Sequence, residues 1–86
     1  MVLTPGEAMV WHSTRQREEL LLVLLGRMEL EWYTLRGTCR RMALKVGQCA
    51  FLPSEVLHRT VNRSRAPIRY LYVTAPMSTT RNQKRH

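Results

Sequence analysis

Two histidines and a carboxylate, His12, Glu19 and His58, are the side chains best suited to act in concert, and each lies in a segment opened by a glycine. In the first segment five residues separate Gly6 from His12, one more leads to Thr14, four to Glu19 and six to Gly26. In the second, five residues separate Gly47 from Pro53, four lead to His58 and three to Asn62. Imidazole nitrogens and carboxylate oxygens suit divalent iron, manganese, nickel, copper or zinc. Singly, each residue has a structural alternative: His58 as a core histidine bonded to backbone, Glu19 as a strand start at the solvent edge. Thr14 offers only a neutral hydroxyl, a poor metal ligand.

The elements that would carry these residues read as strands. Val10 to Thr14 puts Val10, His12 and Thr14 on one strand face, with Trp11 on the other, because side chains alternate with period two. Arg15 to Glu18 is a polar connection. Glu19 to Leu25 reads as a strand whose lack of alternation after Glu19 implies burial on both faces, although six aliphatics in a row are also compatible with helix. Gly26 and Arg27 form a tight turn into Met28 to Leu35, whose alternating Met, Glu, Leu, Glu and Trp fits a half-exposed strand, so the pair reads as a hairpin. Gly37 marks the next reversal, Cys39 to Val46 returns, and Cys49 to Leu52 ends at Pro53, which cannot donate to a ladder. His58 to Asn62 and Ile68 to Thr74 are the last strands, split by the polar stretch Arg63 to Pro67 and closed by Pro76. Short strands with glycine and proline punctuation predict an all-β sandwich or barrel.

Composition sets outer bounds. The chain has 86 residues, 44% of them hydrophobic, enough for one domain with a core that is marginal without a partner, so a homodimer is expected. The longest apolar run, Leu20 to Leu25, is too short to cross a bilayer, and Met1 to Gly6 does not read as a secretory leader. Cys39 and Cys49 form no CxxC or disulfide framework and read as reduced thiols of a cytoplasmic protein. Fourteen Lys and Arg against six Asp and Glu give a net charge of +8. The basic residues are scattered, so a solvated surface explains them better than a nucleic-acid site. The polar stretch 77–86, with Arg81, Lys84 and Arg85, reads as a flexible basic tail behind a domain spanning 1–76.

The two segments resemble the two signature motifs of the cupin family: glycine, five residues, histidine, any, histidine, three or four residues, glutamate, six residues, glycine; then glycine, five residues, proline, any, glycine, two residues, histidine, three residues, asparagine. Every fixed position is kept except two, where Thr14 replaces the second histidine and Glu55 the glycine after proline. Of Glu18 and Glu19, the six-residue run to Gly26 selects Glu19. The resemblance implies a small antiparallel β-barrel or jelly roll with a central pocket. There His12, Glu19 and His58 would share one divalent transition metal, with Thr14 on the same strand face as His12 and a coordination position open. Asn62 and Pro53 are expected to be structural. The aromatic residues Trp11, Trp32, Tyr33, Tyr70 and Tyr72 belong to core or interface, with one of Tyr70 and Tyr72 facing the pocket.

Two functions follow from the resemblance. One is a metal-dependent small-molecule enzyme of oxygenase or isomerase type, whose cation activates oxygen or polarises a carbonyl or enolate. The other is a non-catalytic binding or sensing module for a small anion or sugar. No second carboxylate or general acid–base pair names a reaction.

Overall fold

The computed structural model describes residues 1–76, and the expected basic tail 77–86 lies outside them. Seven strands form, β1 (Val2–Leu3), β2 (Arg17–Leu25), β3 (Met28–Tyr33), β4 (Cys39–Leu44), β5 (Cys49–Leu52), β6 (His58–Val61) and β7 (Ile68–Pro76). They make two antiparallel sheets, a larger one of order β1-β7-β2-β5 and a smaller one of order β4-β3-β6. Among the described residues there is no helix. The sheets face each other as an open jelly-roll sandwich, and the expected barrel closure is not made. Chain reversals separate the strands where glycine or a polar run interrupts the pattern, and the longest pairing is β2 with β7, from Arg17 opposite Pro76 to Leu25 opposite Arg69.

The turn between β2 and β3 needs glycine. Gly26 has φ +82°, a left-handed conformation that L side chains rarely adopt, and a Cβ there would lie 2.6 Å from Ile68 Cγ2 and 2.9 Å from the Pro67 carbonyl. This close approach packs the hairpin corner against the start of β7.

Period-two alternation then divides β2. Glu19, Leu21 and Val23 are buried, and Leu21 and Val23 pack with Leu30, Leu52, Ile68 and Tyr70 in the core. Leu20 and Leu24 are 42% exposed and Leu25 50%. The expectation that both faces of this run are buried is therefore not met, because only one side of the larger sheet meets a second layer. Its outer face stays apolar: Leu20 pairs with Phe51 and Val73, and Leu22 with Leu71.

The outer face of the smaller sheet is ionic instead. Arg63 bridges Glu29 and Glu31 at 2.6 and 3.0 Å, and Arg59 Nε donates to Glu31 at 2.8 Å while its guanidinium covers the Trp11 ring at 4.7 Å. Burial alone would raise the Glu31 carboxyl, but hydrogen bonds and charge from Arg59 and Arg63 outweigh it and hold the group below its ordinary value.

The segment carrying His12 departs from expectation. It forms no regular strand; isolated bridges join Ala8 to Val61 and His12 to His58. The step from Ala8 to His12 is one residue longer than that from Val61 to His58, so a bulge breaks the alternation. Val10, expected to share an inward face with His12, is 81% exposed.

Candidate metal centre

Three elements bring the donors together. Glu19 projects inward from β2, on the face it shares with Leu21. His58 opens β6, opposite Trp32 of β3. His12 is held beside it by a reciprocal pair of backbone bonds, His12 N to His58 O at 3.0 Å and His58 N to His12 O at 2.8 Å. One donor atom from each of the three side chains lies within 4.8 Å of the others. The two imidazole centroids are 4.3 Å apart.

Backbone carbonyls orient both rings in the same way. His12 Nδ1 lies 3.1 Å from the Val10 carbonyl and His58 Nδ1 2.7 Å from that of Val56. A carbonyl only accepts, so each Nδ1 carries the proton, and in the neutral ring Nε2 keeps its lone pair. Those Nε2 atoms face Glu19 Oε1, at 3.6 Å from His12 and 2.9 Å from His58. The second distance is short enough for an ion pair, yet Glu19 Oε1 and His58 Nε2 are both buried without a hydrogen-bond partner. Two buried acceptors facing each other unpaired would be costly. A cation between them removes that conflict, and a histidine whose other nitrogen is bonded to a backbone carbonyl is the usual form of a metal ligand. The donor set therefore fits a divalent transition metal.

The donors open into a cavity of about 530 Å3 whose lining includes Met9, Leu21, Thr60, Tyr70 and Tyr72. Both tyrosines line it, which corrects the expectation of one: residues two apart share a strand face, and Tyr70 and Tyr72 pair with the inward-facing Val23 and Leu21. The Tyr70 and Thr60 hydroxyls are 2.9 Å apart, and burial raises the Tyr70 phenol. Tyr72 is raised by burial and then by the negative charge of Glu19. Glu7 also lines the cavity, and no spacing in the sequence pointed to it. A larger apolar groove of about 760 Å3, lined mainly by β3, β5 and the stretch 53–57, contains none of the three donors.

Thr14 does not join the site. Its hydroxyl donates to the Arg17 carbonyl at 2.8 Å, closing the turn that leads through Gln16, at φ 57°, into β2. A short hydroxyl side chain satisfies the nearest turn carbonyl where a longer imidazole would reach past it. Glu55, in place of the motif glycine, adopts φ 70°, and its N–H donates to the Thr14 carbonyl at 2.7 Å. Asn62 is fully buried and structural: its Nδ2 donates to the Leu3 and Ala66 carbonyls, and its Oδ1 accepts from Ser64 N and Oγ.

The family description "Cupin domain" matches residues 1–74, and the chain belongs to the cupin family. Among solved structures it is similar to the TT1209 protein from Thermus thermophilus, with 28% identity and a TM-score of 0.77 over 87% of this chain and 67% of that one. It also resembles a predicted oxalate decarboxylase from Thermotoga maritima, with 23% identity and a TM-score of 0.76 over 87% of this chain and 61% of that one. The Drosophila melanogaster CENP-C cupin domain shares 13% identity and a TM-score of 0.79 over 86% of this chain and 56% of its own. The chain thus spans about three fifths of the latter two. No curated protein matches its sequence.

Proposed function

We propose that this cupin binds a divalent transition metal through His12 Nε2, His58 Nε2 and a Glu19 carboxylate oxygen, and uses it to hold and activate a small oxygen-donor molecule. The observation that carries this reading is the buried, unpartnered pair Glu19 Oε1 and His58 Nε2, faced by the third donor on His12. When bound, the ion would supply Lewis-acid or redox chemistry. The chain's own residues would orient it: the Val10 and Val56 carbonyls set the ring tautomers, and the β2 strand holds Glu19 on its buried face. Similarity to a predicted oxalate decarboxylase supports a small carboxylic acid as the ligand class.

Elemental analysis of protein purified without chelator tests the reading. About one equivalent of transition metal is expected, with at least a tenfold loss of affinity in His58→Ala and in Glu19→Gln, because each removes one of three donors. Folded wild-type protein that takes up no added manganese, iron(II) or zinc would instead favour a metal-free binding module, a reading supported by the turn-bound Thr14 hydroxyl, which keeps position 14 from supplying a fourth donor.

The same proposal includes a homodimer through the outer face of the larger sheet. Phe51 at 58%, Val73 at 51% and Leu71 at 49% exposure adjoin Leu20 and Leu22 there, and contiguous apolar patches of this kind mark interfaces. The exposed thiols of Cys39 and Cys49 support a cytoplasmic location. Light scattering should give about twice the 10.1 kDa chain mass, and a monomer mass at micromolar concentration removes the dimer.

A further inference from the structure

The cavity beside His12, Glu19 and His58 holds a second buried polar pair that the metal reading leaves unused. Thr60 follows His58 by two residues on β6, so its side chain shares the inward face of the histidine, roughly 7 Å further along the strand. Tyr70 reaches the same place from β7, opposite the inward-facing Val23 of β2. Thr60 and Tyr70 are 4% and 3% exposed, both line the cavity, and their hydroxyl oxygens are 2.9 Å apart.

The protons of this pair do not balance. Each hydroxyl has one proton to give and lone pairs to receive. The bond between them uses one proton, whichever group donates, and the oxygen that accepts keeps its own. Among the described residues neither hydroxyl has a further hydrogen-bond partner. A buried O–H donor without an acceptor is unfavourable, and burial also holds the Tyr70 phenol in its protonated form. One O–H of the pair is therefore left to donate to an occupant of the cavity. Two other polar groups of the lining are exposed and engaged: the Glu7 carboxylate accepts from Thr4 N and Oγ1 at 2.8 and 3.1 Å, and the Met1 ammonium donates to the Tyr70 carbonyl at 3.0 Å.

We propose, resting on the reading of the trio as a metal site, that the hydroxyl pair of Thr60 and Tyr70 is a second anchoring point for the ligand, which is an acid whose carboxylate binds the metal and whose chain carries a carbonyl oxygen that accepts a hydrogen bond from the pair. The separation along β6 favours a carbonyl a few bonds from the carboxylate over one adjacent to it, which the metal itself would take up. The cavity of about 530 Å3 has room for such a chain. In a buried site this bond is stronger than in water, and a ligand without the acceptor leaves the O–H unpaired, so the pair selects oxo acids over their hydrocarbon analogues.

Levulinate and 4-methylpent-4-enoate test the idea, since they share a chain and a carboxylate and differ in a carbonyl oxygen against a methylene group. The full chain is titrated first with cobalt(II), whose visible absorption reports coordination by the protein, and then with each acid. Wild type should bind levulinate about fivefold tighter than the methylene acid or better. Thr60→Val combined with Tyr70→Phe removes both hydroxyls at once, a change that leaves no buried polar group stranded, so the fold should hold while the preference falls about fivefold. Tyr72→Phe removes the other cavity phenol and should leave the preference as it is. The Met1 ammonium and Glu7 are present in all three proteins and cancel from the comparison. A preference absent from wild type, unchanged in the double variant, or lost equally in Tyr72→Phe overturns the proposal. If cobalt(II) itself does not bind, the metal reading fails and takes the proposal with it, a result seen before any acid is added; if cobalt(II) binds and the preference is absent, only the proposal fails.

Discussion

The two glycine-anchored segments reach the same cluster by different means. The second is regular and buried: His58 lies in β6, its side chain is 2% exposed, and Asn62 just beyond ties the strand to Leu3, Ser64 and Ala66. The first is irregular and lies at the margin: His12 is held by isolated bridges, follows a bulge, and leaves its side chain 38% exposed. A regular ladder fixes a side chain through its neighbours on both sides, whereas a bulged edge fixes it through a few backbone bonds and tolerates more change. His58 and Glu19 thus make the rigid half of the cluster, and His12 the adjustable half.

Replacing each histidine in metal-free protein should expose this difference most strongly. His58→Ala opens a cavity at a fully buried position and strips the Val56 carbonyl of its Nδ1 donor, which should cost about 2 to 4 kcal/mol in urea unfolding even though the Glu19 carboxylate loses the lone pair that faces it. His12→Ala, at a half-exposed position, should cost less than about 1 kcal/mol. Equal losses would mean that the two segments are equally anchored. Asn62→Ala removes four hydrogen bonds and strands buried carbonyls, so a loss of about 2 to 4 kcal/mol is expected, with amide exchange accelerating at Gly6 and Ser64 before the rest of β6. Uniform acceleration along the chain would argue against a local anchor. The smallest effect lies at the one strained point of the second segment. Glu55→Gly relieves a left-handed non-glycine residue and should stabilise the protein by about 0.5 to 1 kcal/mol despite the freer unfolded chain, so a loss of stability would show that the Glu55 side chain matters more than its backbone.

Local pattern carried much of this in advance. Alternation and glycine punctuation located six of the strand regions that formed, β2 through β7, to within a few residues, since side-chain period and turn propensity are short-range properties. That His12, Glu19 and His58 come together follows the resemblance to the two motifs, which also marks position 55 as one where glycine is usual, and Glu55 there is left-handed. The paired inward faces of Tyr70 and Tyr72 were equally available from period two alone.

Other features depended on residues far apart in the sequence. Whether Leu20, Leu22 and Leu24 met a second layer depended on where the smaller sheet came to rest, and it covers only the opposite face. The bulge before His12 arose from registering that segment against β6, some fifty residues away, and it left Val10 exposed at the cavity rim. Thr14 found the Arg17 carbonyl because the chain bends there into β2. Glu7 entered the cavity because its backbone is bonded to Asn62 and its carboxylate to Thr4. The sequence by itself determined which residues form strands, where the chain turns and which side chains can donate to a metal, since these follow from the chemistry of each residue and its immediate neighbours. Only the tertiary structure decided which strand faces are covered, how the first motif is registered and which charges share the cavity, because those depend on contacts that exist only once distant segments are packed together.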